Sequence, residues 1–218
     1  MILAMLLLMS PTPEARFEAG DPSAAVQLLE ASPRPKDPVW RYNRGIAAHA
    51  SGSMGKALAD FEWLTTRDAE DEAVRVNRQL ARLDRGVGDD AQAPFGQLSR
   101  LPSRSVMLLG LLCLVVAIAR RPHDDALMRT ARGIGTVCLL ALLLHRGLLL
   151  ADDRVVTRSE ANLMERADAE GRTLMALPAG NLLSPLGEEG DWVHVRTGSG
   201  LLGFVRRSEL LSLEGVQP

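Results

Sequence analysis

Two asparagines, Asn43 and Asn77, stand 34 residues apart in stretches that read as helices. A primary amide donates and accepts hydrogen bonds at once and carries no charge to bury, so the pair suits contact with a peptide backbone. The plainer reading, two solvated helix residues, stays open beside it. Trp192 and Phe204 are the only aromatic residues in the C-terminal stretch from 155 to 213. They read as core or rim of a small sheet rather than as a ligand shelf. The four histidines, His49, His123, His145 and His194, lie in four different segments. None has a second histidine or a cysteine at metal-ligand spacing. Glu70-Asp71-Glu72 and Glu188-Glu189 are carboxylate clusters, accounted for by a solvated helix start and a turn. No phosphate loop, nucleophile elbow or dinucleotide fingerprint occurs. The residues therefore predict no catalytic group, no metal and no cofactor, and the chain is not expected to be an enzyme.

The elements that would hold these residues fall on either side of an apolar middle. Ser105–Ala119 carries no charge over 15 residues, and Gly133–Ala151 runs for 19 with His145 and Arg146 near its end. At about 1.5 Å per residue the first gives about 22 Å, short of the ~30 Å hydrocarbon core unless flanking arginines snorkel. Residues 105–120 and 133–151 are accordingly read as two transmembrane helices. Arg120, Arg121, Arg129 and Arg132 in the loop favour a cytoplasmic loop, with both outer segments periplasmic. Residues 1–13 open with nine apolar residues, Met1 to Met9, like the core of a signal peptide, although no basic residue precedes them. A net charge of −2 excludes a global field that would attract nucleic acid. The two cysteines, Cys113 and Cys138, both lie in the apolar stretches, so the outer segments have no disulfide framework.

One spacing recurs three times before the apolar middle. Gly20, Ala25 and Leu29 form the first set, Gly52, Ala57 and Phe61 the second, Gly86, Ala91 and Phe95 the third. The sets are 32 and then 34 residues apart. The glycine would end one helix, the alanine let the next approach, and the bulky residue fill the space between them. Helices are expected at Pro22–Ala31 and Glu72–Arg85, with Gly45 at a close helix contact. Pro94 would break the partner helix of the last set. Residues 14–99 on this pattern resemble tetratricopeptide repeats. In members of that family that bind peptides, asparagine at the Asn43 and Asn77 position hydrogen-bonds the ligand backbone.

After the apolar middle, short apolar runs alternate with Glu170-Gly171, Pro178-Ala179-Gly180, Glu188–Asp191 and Gly198-Ser199-Gly200, a turn density that predicts a meander or small barrel. Trp192-Val193-His194-Val195 alternates as a strand with Trp192 and His194 on one face. Residues 155–214 are similar to bacterial SH3 domains, on the Leu177-Pro178-Ala179-Gly180 turn, the Gly190–Val195 strand and Gly203-Phe204-Val205. Phe204 stands where that family usually has tryptophan.

The whole order resembles the BatE-type proteins of the Bacteroides-aerotolerance operons. The fold class expected on that resemblance is a multidomain membrane protein. It would comprise an all-α tetratricopeptide-like repeat, a two-helix transmembrane hairpin and a C-terminal all-β SH3-like barrel. The resemblance implies a non-enzymatic scaffold or adaptor of a bacterial inner membrane, with both soluble domains periplasmic. Its implied partners are membrane proteins with von Willebrand A domains, working with a MoxR-type ATPase. The alternative expectation is a cell-wall protein that holds peptidoglycan through its SH3-like domain.

Overall fold

Prolines and short polar side chains set where the helices begin. Thr12, Asp21 and Asp37 each precede a proline, whose fixed φ suits the first helical position, and each side chain accepts a hydrogen bond from a backbone amide of the first turn. The helices that follow are α1 (Pro13–Glu18), α2 (Pro22–Ala31) and α3 (Pro38–Ala50). Then come α4 (Met54–Thr66) and α5 (Glu72–Arg85), the latter capped by Asp71 through the Val74 amide at 2.8 Å. Gly20, Gly52 and Gly86 follow α1, α3 and α5 with φ of 78°, 77° and 84°, left-handed values at which only glycine is unstrained. The computed structural model describes residues 12–67, 71–86, 90, 140 and 153–213.

The helices pack through small residues against large ones. A Cβ added at Gly45 would run into the ring of Phe61, so α3 and α4 touch at that point. Ala25, Leu29, Ala57, Phe61, Leu64 and Val74 are buried in one cluster. Beside it lies a buried charge network. The Arg41 and Asp60 side chains are 1% and 0% exposed and meet at 2.8 Å. Arg44 reaches both Asp60 oxygens at 2.7 Å. Trp40 and Trp63 cover these guanidiniums, with Arg44 4.5 Å from the Trp40 ring and Arg41 4.9 Å from Trp63. Burial pulls the Arg41 guanidinium below its ordinary range, against the charge and hydrogen bond of Asp60. Burial acts the same way on Arg44, but its hydrogen bond to Asp60 and the charges of Asp60 and Glu30 outweigh it, so Arg44 is raised. Both remain cations at neutral pH.

The C-terminal part is a seven-stranded antiparallel sheet in the order β3-β2-β6-β5-β4-β1-β7. Its strands are β1 (Val155–Thr157), β2 (Ala161–Met164), β3 (Thr173–Leu177), β4 (Leu182–Glu189), β5 (Trp192–Arg196), β6 (Leu202–Arg206) and β7 (Leu210–Ser212). Alternation sends Val193, Val195 and Val205 into an aliphatic core with Leu163, Leu177 and Leu183. Trp192, His194 and Phe204 stay half-buried on the opposite face.

Helices and sheet are one body. The described residues 12–90 and 153–213 belong to a single compact unit. Ala59 of α4 is buried with Val156, Leu182 and Leu213 in a cluster that both layers share. A side chain at Gly55 would collide with the Thr157 and Arg158 carbonyls, and one at Gly180 with Leu58. Arg85, at the end of α5, donates to the Gly180 carbonyl and to Asp90, each at 2.7 Å. Asp90 in turn accepts from the Leu182 amide at 3.0 Å.

These features correct the expected fold class. A repeat array buries its faces against neighbouring repeats alone, whereas α4 spends part of its surface on the sheet. Neither a separate tetratricopeptide module nor a separate SH3-like barrel describes this arrangement of five helices sharing a core with a seven-stranded sheet. The membrane reading is corrected as well. No helix among the described residues is long and apolar enough to cross a membrane. The longest with described ends, α5, has 14 residues, about 21 Å, and carries charges throughout. Placement in a bacterial inner membrane with periplasmic domains loses its support on that finding. The proposed spans 105–120 and 133–151 lie, except for Leu140, outside the described residues, as do residues 1–11 of the signal-like segment.

Candidate functional site

Asn43 and Asn77 occupy equivalent sequence positions but do not form one site. Asn77 projects from α5 toward α3 and donates to the Tyr42 hydroxyl at 3.2 Å and to the Ala73 carbonyl of its own helix at 2.9 Å. Its amide is therefore used within the fold. The Asn43 side chain is half-buried and has no hydrogen-bond partner among the described residues. It lines a groove of about 230 Å³ between α1, α2 and α3.

The groove is built from the two kinds of residue that a peptide site needs. Ala25 and Leu29 of α2 and Ala47 of α3 are buried at its base, with Ile46 half-buried beside them. Pro13 and Phe17 of α1 complete the apolar wall, Phe17 remaining 39% exposed. Glu14 and Glu18 are one turn apart on α1, line the same groove, and are exposed. Sequence reasoning singled out Asn43 here but missed Phe17 and the two glutamates. The signal was present in Glu14-Ala15-Arg16-Phe17-Glu18, where spacings of three and four put Glu14, Phe17 and Glu18 on one helix face.

A second cleft, of about 670 Å³, lies on the sheet and is lined by Trp192. Arg158, Arg206 and Arg207 contribute guanidiniums to it, Asp168 and Asp191 carboxylates. The Arg206 guanidinium covers the Trp192 ring at 5.2 Å, and Arg207 pairs with Glu188. Phe204 sits on the same face as Trp192 but stacks on His194, centroids 4.8 Å apart and planes 21° apart. Neither aromatic belongs to the aliphatic core. The two are thus surface residues with partners already in place, and only Trp192 reaches the cleft.

Among the described residues no group of three or more His, Cys, Asp or Glu is placed to hold a metal ion. What the helical groove can offer chemically is a hydrogen-bonding amide above apolar surface, with negative charge to one side. No protein-family model matches the chain, and neither does any curated protein or solved structure.

Proposed function

We propose that this chain is a non-enzymatic scaffold or adaptor that binds a segment of a partner protein in the groove beside Asn43. One observation carries the reading. Asn43 is the half-buried amide left without a partner at the edge of an apolar groove, while the equivalent Asn77 is engaged inside the fold. A polar group held next to desolvated surface costs free energy unless a partner satisfies it. A peptide backbone supplies a donor and an acceptor together, and an apolar side chain of the same peptide fills a space of about 230 Å³.

The test is selection of a random peptide library on the full chain, followed by affinity measurement on the enriched peptides. Asn43→Ala is expected to weaken them about three- to tenfold, the effect of one lost hydrogen bond. Ile46→Lys should abolish binding, and Asn77→Ala should leave it unchanged. Enriched peptides that bind the Asn43 and Ile46 variants as well as the native chain would overturn the reading. If they depend on Trp192 instead, the contact belongs to the sheet cleft.

A further inference from the structure

Carboxylates of the described helical residues are almost all accounted for. Asp21, Asp37 and Asp71 cap helices. Asp60 holds Arg41 and Arg44, and Glu62 holds Arg82. Glu30 meets Lys56, Glu72 meets Arg75, Asp84 meets His49, and Asp90 meets Arg85. Glu14 and Glu18 are the exceptions: neither has an ion-pair or hydrogen-bond partner among the described residues, and both line the Asn43 groove. Like charges one turn apart disfavour a helix, and α1 is only six residues long. A cation set between them removes that repulsion. No basic side chain lines the groove to compete for it.

We infer that the groove takes a basic amphipathic segment of another protein, with one bulky apolar side chain on the Ala25, Leu29, Ile46 and Ala47 surface and Lys or Arg against Glu14 and Glu18. This rests on the adaptor reading above and adds to it the charge of the partner. The charge complementarity is local: the sheet cleft, with three arginines, presents no such bias toward cations. Exposed carboxylates steer and select a basic partner more than they tighten it, and salt screens their effect.

Three synthetic peptides with a common leucine anchor, flanked by Lys, Ser or Glu, test the inference on the full chain by fluorescence anisotropy. The Lys-flanked peptide is expected to bind about tenfold more tightly than its Glu twin at about 50 mM salt, the gap shrinking to about threefold or less at 500 mM. Glu14→Gln with Glu18→Gln should erase the gap and leave the Ser-flanked affinity unchanged. Equal affinity for Lys and Glu flanks in the native chain, or a gap that survives the double variant, would overturn the inference. If all three peptides bind equally and Asn43→Ala weakens them all, only the partner's charge is wrong and the adaptor reading stands. If none binds, or Asn43→Ala changes nothing, the adaptor reading fails with it. Binding that appears only after residues 1–10 are removed assigns the groove to the chain's own apolar start, and a dimer dissolved by Glu18→Lys assigns it to a second copy; both outcomes overturn the inference.

Discussion

The helical layer and the sheet solve burial in opposite ways. The sheet core is aliphatic, built on Leu163, Leu177, Leu183, Val193, Val195 and Val205. The helical layer buries ions: Arg41 and Asp60 completely, Glu62 nearly so. Their surfaces differ in the reverse sense. On the sheet the exposed face is a set of satisfied contacts, Trp192 under Arg206 and His194 against Phe204. On the helices, where almost every charge is matched, the residues left over are Asn43, Glu14 and Glu18, and all three line one groove. An unpartnered group carries information in proportion to how thoroughly its neighbours are partnered. The helical layer therefore marks its functional surface more clearly than the sheet does.

The sharpest way to break this contrast is to remove the centre of the ionic network. Asp60→Ala leaves Arg41 and Arg44 buried with their charges uncompensated, and is expected to destabilise the protein by about 3–5 kcal/mol in urea unfolding. The aliphatic counterpart, Leu163→Ala, should cost about 3 kcal/mol through lost burial and the cavity left behind. Because the two layers share a core, both substitutions should shift one common transition followed by helix and aromatic signals alike. Two separated transitions would show that the layers fold independently, and an Asp60 effect smaller than the Leu163 effect would undo the contrast itself.

The seam between the layers gives a smaller effect with a diagnostic sign. In an exposed helix, replacing glycine by alanine stabilises by about 0.5–1 kcal/mol. Gly55→Ala should instead destabilise by about 1–3 kcal/mol, because the new methyl group meets the Thr157 and Arg158 carbonyls of the sheet. Thermal unfolding reads the sign directly. Stabilisation would mean that α4 can withdraw from β1 at little cost.

Much of the local structure was legible in the sequence. Helices at Pro22–Ala31 and Glu72–Arg85 have the bounds expected of them. Gly20, Gly52 and Gly86 turn the chain after a helix, and Ala25, Ala57, Leu29 and Phe61 are buried as their spacing implies. The strand from Trp192 places Trp192 and His194 on one face. These signals are local, carried by caps, prolines and periodicity. The shared core was not legible. Gly55 and Ala59 on α4 meet Val156, Leu182 and Leu213 from about a hundred residues further on, and none of the five is unusual by itself. Small residues four apart on a helix are the one trace of the close approach. The site failed for a related reason: repeat spacing made Asn43 and Asn77 equivalent, but their surroundings differ, because Tyr42 captures one amide and nothing described captures the other.

The smallest effects on stability should be the most informative about function. Asn43→Ala removes a side chain with no internal partner, so unfolding should move by no more than about 0.5 kcal/mol, as at an ordinary surface site. Trp192→Ala gives up a half-buried ring and its contact with Arg206, worth about 0.5–1 kcal/mol. Stability thus ranks Trp192 above Asn43, whereas affinity for peptides selected on the helical groove should rank them the other way, with Trp192→Ala unchanged. A binding assay run beside an unfolding curve on the same two variants decides it. If the two rankings agree, Asn43 is no more than a solvated helix residue, and the contrast between a marked helical surface and a satisfied sheet surface loses its meaning for function.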